Sequence, residues 1–134
     1  RKCDQDTAET VRRLYDFTMN KADEWLWGRG LYEGSFTFYA LRDRQRISIF
    51  SVNTQGMVGL SFGQWKDKRL EQEAMESFRM ELNKIPKVDI PQEVLAGNRY
   101  PSIPAAVLAE PTNLERFQEA VLLLCERIRL SSEA

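Results

Sequence analysis
Residues 35–62 read SFTFYALRDRQRISIFSVNTQGMVGLSF, and the class of fold turns on them. Ser35–Leu41 is dense in aromatic and β-branched side chains (Phe36, Thr37, Phe38, Tyr39), which fit a pleated, half-buried surface. Arg42-Asp43-Arg44-Gln45 is a polar turn. Arg46–Asn53 alternates again, with Ile47 and Ile49 expected on one face and Phe50 and Val52 on the other. Thr54-Gln55-Gly56 makes a second turn, and Met57–Phe62 a third strand. Turns this short join antiparallel neighbours, so the stretch predicts a three-stranded antiparallel meander. Apolar groups fall on both faces. One face should meet helices, and the other should be covered or serve as an interaction surface.

Outward from this core the periodicity changes to that of helices. Val11, Leu14, Tyr15, Thr18, Ala22, Trp25 and Leu26 form one stripe, predicting a helix over about 7–26 with an Asp6/Glu9 capping box. Leu70, Ala74, Phe78 and Leu82 recur every four residues and predict a helix over about 67–84. Pro86, Pro91, Pro101 and Pro104 then forbid one regular element, leaving room for short turns near 92–96 and 105–109. A last helix is expected over about 112–130, with Thr112 and Glu115 as its capping box. The expected fold is α+β. The meander packs against N-terminal, central and C-terminal helices in a single domain over 1–134. The chain begins on Arg1, which fits an excised domain or a processed chain.

Composition removes several chemistries. The 134 residues include no histidine, so a Ser/His/Asp triad, a Cys/His dyad and a His-ligated zinc are excluded within the chain. Cys3 and Cys125 are too few for a disulfide framework, which fits a reducing, cytoplasmic setting. Cys125 lies in an apolar run and is expected to be buried. No apolar run reaches the ~20 residues of a membrane span, so no membrane partner is expected.

The search for a reactive site leaves little. Gly28-Arg29-Gly30 follows a predicted helix rather than a strand, so it reads as a turn and not a dinucleotide loop. Gln64-Trp65-Lys66 with Asp43 only loosely matches a metal-dependent nuclease core, because glutamine stands where a carboxylate should bind a hard cation. A pocket around Phe38, Tyr39 and Phe50 would serve a small enzyme. No catalytic residue, metal ligand or cofactor is assigned.

Arginine usage is more telling. Thirteen of the 19 basic residues are Arg. Residues 42–69 carry six cations (Arg42, Arg44, Arg46, Lys66, Lys68, Arg69) against Asp43 and Asp67, a net +4 in a chain of net −1. With Trp65 among them, these are the candidate nucleic-acid-binding residues, cations for phosphate and a ring for a base. In the last helix, Ala120–Cys125 is apolar around the whole circumference. Either residues 100–108 cover it, or Leu122 and Leu123 meet a second copy or a neighbouring domain.

Trp27-Gly28-Arg29-Gly30 with Gly34-Ser35-Phe36, and Arg99-Tyr100-Pro101-Ser102-Ile103-Pro104, carry a resemblance. The chain resembles a group of uncharacterised bacterial accessory domains with W-G-x-G…G-S-F and R-x-P-S-I-P segments, sometimes associated with nuclease or restriction-type proteins. The resemblance implies an accessory role in nucleic-acid processing or defence and supplies no catalytic residue. The resulting expectation is a non-catalytic binding module for nucleic acid or another anionic partner. A structural oligomerisation domain and a small enzyme or divergent nuclease stand beside it as alternatives.

Overall fold
A computed structural model describes residues 5–27, 35–53, 55–65, 68–96 and 100–131. Helix α1 (Gln5–Lys21) leads into strands β1 (Glu24–Trp27), β2 (Phe36–Arg42), β3 (Gln45–Val52) and β4 (Met57–Leu60). A single helical turn, α2 (Phe62–Trp65), precedes α3 (Gln72–Leu82). Two 3₁₀ turns, Gln92–Ala96 and Ala105–Ala109, flank β5 (Ser102–Pro104), and α4 (Pro111–Ser131) closes the order.

The strands form one antiparallel sheet in chain order, β1 to β5. The predicted meander is its centre, and two edge strands are added. The stripe of α1 runs on through Trp25, which conceals β1. Ala22 still donates its N–H to the Thr18 carbonyl at 3.0 Å, but Asp23 donates to the Tyr39 carbonyl at 3.0 Å. One residue thus passes the backbone from helix to sheet. β5 is three residues long and ends on Pro104, a residue tolerated at a sheet edge but not in its interior.

One face of the sheet carries the core. Phe36 pairs with Val52, Phe38 with Phe50 and Ala40 with Ile47, and all six side chains are buried. The register shifts between Phe38 and Tyr39, and Ile49 is left without a partner on β2. This bulge turns Ile47 onto the same face as Phe50 and Val52, correcting the alternation expected from sequence. Phe17 of α1 stacks on Phe38 at 5.5 Å, Phe38 on Phe50 at 5.2 Å, and Phe117 of α4 meets Phe50 edge-on at 5.1 Å. Four rings therefore join both long helices to the middle of the sheet.

Helix boundaries depart from the sequence reading for local reasons. The predicted helix over 67–84 is broken because Arg69 takes a φ of 60°, and α3 starts only at Gln72. At α4, Pro111 is the first helical residue, and the Glu110 carboxylate accepts the Thr112 N–H at 3.1 Å. Glu110 thus does the capping expected of Thr112.

Candidate functional site
The β2–β3 hairpin closes through two residues, Asp43 and Arg44, between the paired Arg42 and Gln45. Asp43 has a φ of 58°, as primed hairpin turns require at their first position. The half-buried Arg42 side chain leaves the turn sideways. Its guanidinium donates to Gln45 Oε1 at 3.1 Å and to the backbone carbonyl of Lys68. The second bond joins segments that are 26 positions apart.

The other half of the site is the α2–α3 connection. Lys68 donates its N–H to the Gln64 carbonyl at 3.2 Å, and Leu70 donates to the Trp65 carbonyl at 3.1 Å. Trp65 fastens this loop to the sheet. Its indole is 0% exposed, lies 4.6 Å from Phe62 and 5.5 Å from Phe78, and donates Nε1–H to the Ser48 carbonyl at 2.7 Å. Arg42, Arg44, Lys68 and Arg69 are thereby collected at one end of the sheet. Among the described residues, no acid pairs with Arg44, Lys68 or Arg69.

Two of the residues singled out by sequence take other roles. Trp65 has no exposed face to offer a base, so it is a core side chain and not a stacking platform. Arg46 projects from the outer face of the sheet. It sits over the Tyr39 ring at 5.3 Å and pairs with Glu24 at 3.6 Å, so its charge is partly answered within the chain. Lys66 lies outside the described residues, as do Cys3 and Gly28-Arg29-Gly30.

The remaining reactive candidates are placed as follows. Phe38 and Phe50 are fully buried under the helices, with 0% exposure each. Gln64 belongs to α2, not to a strand. Among the described residues, no three of Asp, Glu and Cys come close enough together to hold a metal ion. Cys125 lies on the buried face of α4, and burial pushes its thiol up to about 12, far from thiolate chemistry. Leu122 is half-buried against the core, and the 105–109 turn lies against both α1 and α4. The α4 run is therefore covered internally except at Leu123, which is 55% exposed.

One feature escaped the sequence reading. Thr37, Ser51, Gly59, Ser102 and the exposed Tyr100 border a hydroxyl-lined trough of about 420 Å³ on the outer face of the sheet. Its residues alternate with core residues along the strands, so only the pairing of strands assembles it. No helix among the described residues is long and apolar enough to cross a membrane. No family model, curated protein or solved structure matches the chain.

Proposed function
We propose that the chain is a non-catalytic module that binds nucleic acid through phosphate contacts at the β2–β3 turn and the α2–α3 connection. The observation that supports this most is the bond from Arg42 to the Lys68 carbonyl. It gathers basic residues from two distant segments without using a carboxylate, so their charge remains for an anionic partner. Arg44 and Arg69 supply forked donors suited to phosphate oxygens, and Lys68 supplies a point charge. The net charge of −1 does not oppose this reading, because local cations rather than the average meet the phosphates. The same role agrees with the accessory function implied by the resemblance.

Binding to a fluorescent single- or double-stranded oligonucleotide tests the proposal. Affinity should fall steeply as salt rises. Replacing Arg44, Lys68 and Arg69 together with Ala should flatten the slope of log K against log salt by roughly 2–3. Arg46→Ala should change little, since that side chain already has Glu24. No binding at ~50 mM salt, or a triple variant that binds like the parent, overturns the proposal.

A further inference from the structure
The α3–α4 side of the molecule carries a different surface. A groove of about 380 Å³ runs between the helices, with Ala74, Ser77, Phe78 and Glu81 on one wall and Ala120 and Leu124 on the other; the Glu81 charge is answered by Lys84 at 3.1 Å. Leu123 and Leu130 stand at its rim, 55% and 68% exposed. Single exposed leucines are ordinary, but these two stand on the rim of one groove whose lining includes Phe78 and Leu124. Leu123, Glu126, Arg127 and Leu130 lie at i, i+3, i+4 and i+7, one stripe of α4. Glu126 and Arg127 are exposed, and neither has an ion pair among the described residues.

We propose that this stripe is the contact surface of a symmetric dimer and that the occupant of the groove is α4 of a second copy, running antiparallel. The order of side chains selects that occupant. A two-fold axis passing between positions 126 and 127 sets Leu123 against Leu130 of the second copy. The same axis sets Glu126 against Arg127 of the second copy. Each contact occurs twice, as a closed two-fold interface requires. A parallel pairing would instead face Glu126 with Glu126 and Arg127 with Arg127, which repels. The stripe is therefore self-complementary in one direction only. This interface includes none of Arg42, Arg44, Lys68 and Arg69 and does not depend on what they bind. Its small apolar area fits a transient dimer.

Sedimentation equilibrium from micromolar to sub-millimolar concentration tests the proposal, with circular dichroism to confirm folding of each variant. The parent should dimerise, and Leu123→Glu should sediment as a folded monomer. Glu126→Arg alone and Arg127→Glu alone should each weaken dimerisation by about tenfold, because each sets like charges together twice. The double exchange, Glu126→Arg with Arg127→Glu, should restore the parental constant. A parent that stays monomeric overturns the proposal, as does a double exchange no better than the singles or a Leu123→Glu variant that still dimerises.

Discussion

At the β1 side of the sheet, Arg129 of α4 closes on Asp23 through two hydrogen bonds of 3.0 and 3.1 Å. At the hairpin end, Arg42 reaches across to Gln45 and to the carbonyl of Lys68. Both arginines tie distant segments together, but their acceptors differ in charge. Asp23 also accepts the Leu41 N–H at 2.8 Å, so one carboxylate fixes a helix and a strand at once. The bond to Asp23 holds the Arg129 guanidinium above its ordinary pKa, although burial opposes this. The positive charge of Arg129 is answered within the fold. Among the described residues the acceptors of Arg42 are neutral, so its donors are used and its charge is left. Residue type alone does not separate these two arrangements; the formal charge of the acceptor does.

Removing the support beneath the hairpin end is the most disruptive way to break this contrast. Trp65→Ala deletes a fully buried ring between Phe62 and Phe78 and orphans the Ser48 carbonyl. A loss of about 3–5 kcal/mol is expected in urea unfolding. Oligonucleotide binding should weaken as well in whatever fraction stays folded, because Lys68 and Arg69 lose their anchor. A loss under about 1 kcal/mol would mean that Trp65 does not hold the loop. The β1 side of the same end gives a gentler test, since Asp23 holds Leu41, the residue before Arg42. Asp23→Ala should cost roughly 1–2 kcal/mol, moderated by the 42% exposure of the Arg129 side chain, and should leave oligonucleotide affinity unchanged. If affinity falls with it, the bond from Leu41 to Asp23 also positions Arg42.

The same contrast explains what was legible in the sequence. β2, β3 and β4 are visible because core residues and turns alternate locally, and α4 because Leu114, Phe117, Val121, Leu124 and Ile128 keep one stripe. The edge strands are not. β1 borrows the helical spacing of α1, and only the bond from Asp23 to Tyr39 reveals the switch. β5 exists because Val58 pairs with Ile103 across a connection of 41 residues between β4 and β5, from 61 to 101. The basic cluster is half legible. Its residues lie in one sequence window, but which of them keep their charge depends on Glu24 and the Lys68 carbonyl, contacts made only on folding. Trp65 is misleading for the same reason, since an aromatic among lysines has the same sequence signature whether it stacks on a base or fills a core. Leu130 could have been found with Leu123 by extending the i, i+4, i+7 spacing past the apolar run.

The smallest expected effect distinguishes backbone strain from charge at the hairpin end. Asp43 takes a left-handed backbone at a turn position that favours glycine, and it places a negative charge among the cations. Asp43→Gly relieves both at once. Asp43→Asn removes only the charge, since asparagine keeps a side chain at the same φ while tolerating it. Both should tighten oligonucleotide binding by about twofold, the scale of one screened charge. Only Asp43→Gly should also stabilise the fold, by about 0.5–1 kcal/mol in urea unfolding, after the greater freedom of glycine in the unfolded chain is offset. Equal stability in the two variants would show that the turn stores no strain. Tighter binding in the glycine variant alone would place the effect in loop geometry, and the cations would then act through their positions more than through their number.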